Sequence, residues 1–329
     1  MARKWKVLLC GYYGMGNLGD ELLLSSCIEL LKSLGIGPDK IAVMSGSTVY
    51  TKKCYNVESI DRWNLNAVAH AARNSETLLL GGGGIFQDSS SFKSPIYYWL
   101  IVKIAQACGC KIWAVGQSVG PLRRWLSWIL TKNAFSPCKY ISVRDIHSTH
   151  FVKKAVLTND LALSLDLKPG DCVKDTILVN FRHTSSGIEY MSAKDFSAIN
   201  FPSSSRIIGV GMSKDDAKLM QEMRDKSLIR LDDILVPTKD EAAELFSRGQ
   251  YAFGMRLHFG VLCLKASVPC TMVPYDLKVK DFATNWGADI WQNGKCELPG
   301  QWRKLGSVGD AASKIRGEFS RAAGLLGLL

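Results

Sequence analysis

Apolar and polar positions alternate along the chain with two different periods, and this alternation predicts its secondary structure. Short apolar runs that end in glycine recur, as in "KVLLCG" and "TLLLGG". Such runs are typical of strands that are buried on both faces of a parallel sheet. Between them lie longer stretches with helical spacing, such as "DELLLSSCIELLKSLG", whose final glycine suits a helix C-terminus. The pattern predicts a parallel α/β fold.

This α/β pattern occurs as two series with a polar stretch between them. In the first series, strands are expected at 6–13, 40–46, 77–82, 111–116 and 140–145, and helices at 19–35, 64–74, 94–109 and 123–135. The stretch "DLKPGDCVKD" contains a Pro-Gly pair, as a linker would. In the second series, strands are expected at 176–181, 205–212, 228–232, 251–256 and 269–275, and helices at 192–200, 214–225, 238–249 and 257–267. We therefore expect two Rossmann-like domains, 1–168 and 175–329, that face each other across a cleft.

Composition and charge narrow the class of protein. The hydrophobic share of 47% and the charged share of 22% are ordinary for a globular protein. No apolar run is long enough for a membrane-spanning helix, and the basic start leads into a strand rather than a signal peptide. The net charge of +11 favours an anionic partner, which leaves nucleic acid, anionic lipid and a phosphorylated substrate open. Nucleic acid is disfavoured because aromatic residues are not interleaved with a basic run.

The ten cysteines have neither the spacing of a disulfide framework nor that of a zinc site. The pair in "CGC" at 108–110 has no matching cluster of Cys and His residues. We therefore expect free thiols in a reducing cytoplasm, and neither a bound metal nor a cofactor.

Two glycine-rich motifs follow predicted strands, where open parallel sheets bind their ligands. "GYYGMGNLGDE" has G-x-G-x-x-G spacing, but Asp20 and Glu21 put negative charge where a pyrophosphate would lie. A tight turn and a site for hydroxyl groups are both open interpretations. "LLLGGGGIFQD" has more glycines than a turn needs, which favours close approach of a ligand. The candidates for binding a sugar acceptor are Asn17, Asp20, Gly84, Gln87 and Asp88.

Basic residues at predicted strand ends are candidates for binding an anion. Arg144 follows a strand in "SVRD", and Arg256 and His258 lie at a strand-to-helix junction in "GMRLHFG". Burying either of the latter two without a partner is costly, so a bound anion would serve both. The ordinary alternatives are an internal ion pair and a core histidine. Lys278 in "YDLKVKDF" extends this set, although a solvated lysine is its default interpretation.

The stretch "LRRWLSWILTK" has two interpretations. Leu122, Trp125, Leu126 and Ile129 form one helical stripe, which favours a helix packed on the core. The alternative is an interfacial membrane helix, because tryptophans flanked by basic residues lie at lipid headgroups.

The motifs "GNLGDE", "GGGGIFQD", "SVRD", "RLHFG" and "YDLKVKDF" together, and in this order, resemble the polysaccharide pyruvyltransferase family. The likeness runs from Gly11 to about Ala283 and is closest to the bacterial branch that modifies secondary cell-wall polymers. It implies two Rossmann-like domains that resemble the glycosyltransferase B fold. It also implies transfer of an enolpyruvyl-derived group from phosphoenolpyruvate to a sugar, which forms a cyclic ketal and releases phosphate.

The same resemblance implies roles for individual residues. The donor-binding and catalytic set would be Arg144, Arg256, His258 and Lys278. The acceptor would be an N-acetylmannosamine unit of a lipid-linked precursor at the inner face of the plasma membrane. Such chemistry needs an acid and a base; the candidate acid among these residues is His258, and the candidate base is Asp20 or Asp88 from the other domain. A nucleotide-sugar glycosyltransferase and a non-catalytic sugar- or anion-binding protein are the alternatives.

Overall fold

The computed structural model of the protein describes residues 3–89, 91–167, 173–183, 201, 205–291, 298 and 300–329. The chain divides into two compact units. The first unit comprises Met1–Met15, Asp20–Leu165 and Asp310–Leu329, and the second comprises Gly16–Gly19 and Asp166–Gly309.

The first unit is built on a parallel sheet of eight strands. Its strands are β1 (Trp5–Cys10), β2 (Ile41–Ser45), β3 (Glu58–Asp61), β4 (Ser75–Leu80), β5 (Gly83–Phe86), β6 (Lys111–Val119), β7 (Cys138–Val143) and β8 (Val156–Leu157). Their order is β3-β2-β1-β4-β6-β7-β8, with β5 paired to β6. The helices between them are α1 (Leu18–Ser33), α2 (Thr48–Tyr55), α3 (Leu65–Arg73), α4 (Lys93–Ala107), α5 (Trp125–Phe135) and α6 (Ile146–Phe151).

The second unit is built on a parallel sheet of six strands. Its strands are β9 (Thr176–Asn180), β10 (Arg206–Val210), β11 (Asp233–Leu235), β12 (Gly249–Gly254), β13 (Cys270–Met272) and β14 (Asp289–Ile290), in the order β11-β10-β9-β12-β13-β14. The remaining helices among the described residues are α7 (Lys214–Asp225), α8 (Lys239–Ser247), α9 (Leu257–Lys265), α10 (Leu277–Trp286) and α11 (Val308–Leu326).

Helix starts in the second unit are fixed by polar side chains in the loops that follow its strands. Ser213 accepts from the backbone N–H of Asp216 at the start of α7, and Asp276 accepts from Val279 at the start of α10. Such caps satisfy N–H groups that have no partner within the helix. The caps therefore fix the points at which the loops at the carboxyl edge of the sheet end and the helices start.

The alternation along the chain predicts most of these elements, and the exceptions have identifiable causes. The strand expected at 228–232 is wrong: Ile229 and Leu231 are buried in the core, but pairing with β10 begins at Asp233. These two residues are apolar because they are buried, and not because they belong to a strand. The prediction missed α2, β3, β5, α6, β8, β14 and α11, most of them short or partly exposed. The helix expected at 192–200 lies outside the described residues.

Helix α5 corrects the interpretation of "LRRWLSWILTK" as a helix whose apolar stripe packs on the core. Trp125 is 75% exposed and Ile129 is 44% exposed. The buried residues of the helix are Ser127, Thr131, Ala134 and Phe135. Ser127, Thr131 and Ala134 lie against the underlying core together with Phe135, whereas Trp125 and Ile129 project outwards.

The C-terminal helix α11 joins the first unit, whereas the sequence interpretation placed everything from 175 to 329 in the second domain. The ring of Phe319 lies 5.2 Å from that of Trp113, centroid to centroid. The Tyr140 hydroxyl donates to Glu318 at 2.7 Å, and Arg316 donates to the carbonyl of Ser164 at 3.0 Å. These partners are far away in sequence, so the linear order of elements could not identify them.

We predict that Phe319→Ala destabilises the first unit selectively. Phe319 is 3% exposed, and truncating a buried phenylalanine typically costs about 3–5 kcal/mol. Amide hydrogen exchange followed by mass spectrometry should accelerate in peptides from β6 and β7 and stay unchanged in β12 and β13. Leu325→Ala, at a 61% exposed position of the same helix, is the control. Equal acceleration in both sheets would contradict the assignment of α11.

Candidate functional site

Arg256 lies between β12 and α9 and is held by a buried carboxylate. Its Nε donates to Oδ2 of Asp216 at 3.0 Å, and its terminal nitrogen donates to Oδ1 at 2.6 Å. This is the paired geometry in which a guanidinium binds a carboxylate most strongly. Asp216 is 1% exposed, so its charge depends on this pair. The protein itself therefore supplies a partner for Arg256, and a bound anion is not required to explain its burial.

Further contacts around Arg256 tie three strand ends of the second unit together. The backbone N–H of Arg256 donates to Oδ1 of Asn180, the last residue of β9, at 3.0 Å. A terminal nitrogen of Arg256 lies 3.5 Å from the hydroxyl of Ser213, which follows β10. Carboxyl ends of adjacent parallel strands share one edge of a sheet, which is where such sheets bind ligands.

His258 lies in the first turn of α9 and packs against Gly19. A Cβ atom added at Gly19 would lie 2.2 Å from Nδ1 of His258, so a side chain there would displace the imidazole. The segment 16–19 is attached to the second unit: Leu18 donates its N–H to Met212 at 2.8 Å, and Asn17 bridges to Ser213. The "GNLG" and "RLHFG" motifs, far apart in sequence, therefore meet in the second unit.

Arg182 follows β9 and Lys278 lies at the start of α10, after β13, and both contact side chains nearby. Nζ of Lys278 lies 3.1 Å from Oδ2 of Asp276, the residue that caps α10. The guanidinium of Arg182 lies 4.4 Å from the ring centroid of Tyr275 and donates to its hydroxyl at 2.7 Å. The donor-binding roles assigned to Arg256, His258 and Lys278 stay predictions, and all three residues belong to the second unit.

Arg144 belongs to the first unit and is an internal ion-pair partner. It donates to Oδ2 of Asp160, and the two side chains are 5% and 4% exposed. Burial alone would lower the pKa of Arg144, but the carboxylates of Asp160 and Asp145 raise it. The guanidinium therefore stays charged and faces carboxylates of its own chain. A role for Arg144 as a clamp for a donor anion stays a prediction.

The glycines of "GGGG" are explained largely by close packing. A Cβ at Gly81 would lie 1.8 Å from the Tyr13 hydroxyl, and one at Gly82 would lie 3.1 Å from Leu23. Gly83 has a φ of +117°, and Oδ1 of Asp20 lies 3.4 Å from its Cβ position. Protein side chains fill the space at these three positions, whereas the sequence interpretation reserved it for a ligand.

Three of the residues predicted to bind the acceptor have internal contacts. Asn17 accepts from the N–H of Gly19 at 2.9 Å, and Gln87 accepts from the N–H of Ser89 at 2.8 Å. Asp88 accepts at one oxygen from the N–H of Arg123 at 2.7 Å and at the other from that of Arg124 at 2.9 Å.

These contacts bear on which carboxylate acts as the base. Burial would raise the pKa of Asp88, but the two backbone donors lower it. This arrangement argues against Asp88 as a base, because its proton affinity is reduced and both oxygens hold the start of α5. Asp20, in α1, lies near Gly83 of the glycine loop; Asp20 and Gly84 are both partly exposed, and their roles stay predictions.

An aromatic group at the carboxyl edge of the first sheet was missed by the sequence interpretation. Tyr12 follows β1, Trp63 follows β3 and Tyr97 lies in α4; Tyr12 is 41% exposed and Trp63 is 61% exposed. The buried guanidinium of Arg62 lies 5.5, 5.1 and 4.8 Å from their three ring centroids. The sequence signal for this aromatic group is "DRW", in which Arg62 and Trp63 directly follow β3. The apolar pattern does not predict β3, so these residues were not expected at a strand end.

The described part of the chain contains no group of three or more His, Cys, Asp or Glu residues arranged to hold a metal ion. None of its helices combines the length and the apolar character needed to span a bilayer.

A family model described as polysaccharide pyruvyl transferase matches residues 17–276. The matched range begins at Asn17, includes Arg144, Arg256 and His258, and ends two residues before Lys278. A sequence search of curated proteins gives no match.

Solved structures with a similar fold include complexes with UDP-glucose and UDP and a UDP-GlcNAc 2-epimerase. Anabaena Alr3699/HepE, solved with UDP-glucose, has a TM-score of 0.56 at 10% identity, covering 97% of this chain and 94% of that one. UDP-GlcNAc 2-epimerase from Methanocaldococcus jannaschii has a TM-score of 0.54 at 10% identity, covering 95% and 92%. Staphylococcus aureus MnaA, solved with UDP, has a TM-score of 0.56 at 9% identity, covering 97% and 91%. At such identities the likeness concerns the fold alone, and it confirms the predicted α/β class resembling the glycosyltransferase B fold.

We predict that Gly19→Ala displaces the His258 ring. Overpacking of this kind typically costs about 1–3 kcal/mol, and the ring must move because the new methyl group overlaps it. With only five histidines in the chain, imidazole signals in a ¹H–¹³C NMR spectrum can be assigned by single substitutions.

The signal of His258 should shift in Gly19→Ala while those of His70 and His150 stay in place. Gly317→Ala is the control, because a Cβ there meets nothing within 4 Å. An unmoved His258 signal in Gly19→Ala would refute the contact.

Proposed function

Because the chain belongs to the polysaccharide pyruvyl transferase family, we propose that it transfers a pyruvyl group from phosphoenolpyruvate to a sugar. The product is a cyclic ketal, and phosphate is released. The proposed acceptor is an N-acetylmannosamine unit of a lipid-linked cell-wall polymer precursor at the inner face of the plasma membrane, and no cofactor beyond the co-substrate is invoked. The observation that carries the proposal is the family match over residues 17–276.

The charge of the donor fits the second unit. Phosphoenolpyruvate carries about three negative charges at neutral pH, since the second ionisation of a phosphate monoester lies near 6. Arg256 and Lys278 are cations near adjacent strand ends, and the side chain of Arg256 is still 20% exposed. We propose that these two groups bind the donor. Because Asp216 fixes the Arg256 guanidinium from behind, its position is set before a ligand arrives.

The proposed chemistry begins with a proton added to the methylene carbon of phosphoenolpyruvate, which makes the neighbouring carbon cationic. A sugar hydroxyl forms a bond to that carbon and gives its proton to a base. The bond from that carbon to the phosphate oxygen then breaks, and a second hydroxyl closes the ring as its proton passes to the departing phosphate. Atoms and charge balance, with one methyl group, two new C–O bonds and inorganic phosphate formed.

His258 is the proposed acid for the first step. The His258 ring is confined because it lies in the first turn of α9 and packs against Gly19 of "GNLG". Arg256 lies two residues before it in the sequence. A general acid in a defined position typically contributes about 10²–10⁴ in rate. For the base, Asp20 stays the prediction, since the oxygens of Asp88 already accept backbone N–H groups.

We predict that the purified protein releases phosphate from phosphoenolpyruvate only when a sugar acceptor is present. Mass spectrometry of a small acceptor panel, beginning with N-acetylmannosamine glycosides, should show the ketal. His258→Ala should lower kcat by about 10²–10⁴ and change donor affinity little. His70→Ala, at an exposed position of α3, is the matched control.

Three other outcomes would overturn parts of the proposal. UDP-glucose is tested as a rival donor because a protein solved with it shares this fold, and release of UDP without ketal would indicate a glycosyltransferase. Donor binding without turnover on any acceptor would indicate a binding protein. Wild-type turnover in His258→Ala would remove that residue from the mechanism.

We propose that the aromatic group of Tyr12, Trp63 and Tyr97 receives the acceptor. A pyranose ring has an apolar C–H face that packs against aromatic rings, and these rings lie where parallel sheets bind ligands. The contact of Arg62 with all three rings fixes their positions.

We predict that Trp63→Ala raises the KM for the acceptor by about two- to tenfold, which corresponds to the 0.5–1.5 kcal/mol of an aromatic contact. The KM for phosphoenolpyruvate should stay unchanged. Trp125→Ala, which removes a tryptophan from α5, is the control with a water-soluble acceptor. An unchanged acceptor KM in Trp63→Ala would exclude this group from the acceptor site.

A further inference from the structure

In its first two turns, helix α5 has the reverse of the usual polarity for a helix on the surface of a globular unit. Its exposed side includes Trp125 at 75%, Trp128 at 46% and Ile129 at 44% exposure. Its buried side includes Ser127 and Thr131. Burial drives the opposite arrangement, with large apolar residues inside and small polar ones outside. A contiguous set of exposed apolar side chains of this kind marks a surface that binds something.

Helix α4 extends the exposed apolar set beside α5. The Trp99 indole N–H donates to Asn133 of α5 at 2.9 Å, and Arg124 lies 4.6 Å from the ring of Phe92, which precedes α4. The two helices therefore run side by side in the same direction. Ile96, 36% exposed, lies between these two contact points along α4. The set of Ile96, Trp125, Trp128 and Ile129 is called the α4–α5 surface below.

The charged side chains of the α4 and α5 segments themselves are all basic. Residues 93–107 and 122–135 contain no Asp or Glu, and their basic residues are Lys93, Lys103, Arg123, Arg124 and Lys132. Nζ of Lys132 lies 5.0 Å from the ring centroid of Trp128, so a cation and an exposed indole are adjacent. Indole rings flanked by lysine and arginine are the side chains that bind the interfacial layer of a membrane.

This charge distribution also indicates which partner binds the α4–α5 surface. A second copy of the chain docked through the same face would bring two sets of basic residues together, which is unfavourable. An anionic lipid surface instead attracts each basic residue, and the attraction falls off within the ionic screening length.

We infer that the α4–α5 surface docks the protein on an anionic membrane, with α5 lying in the plane of the headgroups. The attachment inferred here is peripheral, because it uses side chains on the outer faces of α4 and α5. The inference deepens the proposed function by placing the protein where a lipid-linked acceptor would be, yet it rests on α4 and α5 and not on the chemistry of the donor.

The test is sedimentation of the full chain with vesicles of phosphatidylglycerol and phosphatidylcholine, compared with phosphatidylcholine alone. The protein should bind the anionic vesicles and be released by high salt. The double variant Trp125→Ser/Trp128→Ser should lower the vesicle partition coefficient at least about tenfold, because both indoles lose their interfacial contact. Arg123→Gln/Arg124→Gln should weaken binding to anionic vesicles and reduce its salt dependence.

The control is Val49→Ser/Leu325→Ser, which removes two exposed apolar residues outside α4 and α5 and should leave vesicle binding unchanged. Absence of wild-type binding to anionic vesicles, or equal binding by the tryptophan double variant, would overturn the inference. So would a concentration-dependent dimer that the tryptophan double variant abolishes, since the face would then bind a second copy. Phosphate release with a water-soluble acceptor, measured in parallel, reports on the proposed function separately.

Discussion

The ion pair between Arg256 and Asp216 sets the positions of the loops at the carboxyl edge of the second sheet. Asp216 is almost fully buried, and its charge is stabilised because two nitrogens of one guanidinium reach its two oxygens. Asn180 binds the backbone N–H of the same arginine, so the ends of β9 and β12 are joined to the start of α7. His258 is two residues further on, and its position follows from this arrangement.

The fold could be predicted largely from the sequence because its elements follow from local patterns. The helix expected at 214–225 has those bounds, since a capping serine and a regular polar pattern define it within its own residues. The strand expected at Ile229 and Leu231 is wrong because a buried segment outside the sheet has the same alternation of apolar and polar residues as a strand. Helix α11 could be recognised only through partners such as Trp113, about two hundred residues earlier.

The site was harder to predict because its contacts link distant parts of the chain. The sequence singles out Arg256 and His258, but nothing near them identifies Asp216 or Gly19 as the groups they contact. The glycine run at 81–84 is a second case in which the sequence does not identify the contacting group. Glycine is required both where a ligand approaches and where a neighbouring side chain does, and here the phenol of Tyr13 takes the space.

The return of α11 to the first unit has a consequence for biosynthesis. Lys111 donates to the carbonyl of Leu326 and Lys6 donates to that of Leu328, so the first and last described segments are fastened together. During translation, the first sheet emerges from the ribosome long before the helix that covers Trp113 exists. The apolar face of the nascent first unit therefore stays uncovered while the second unit is synthesised. During this period, chaperone binding would protect the first unit from aggregation.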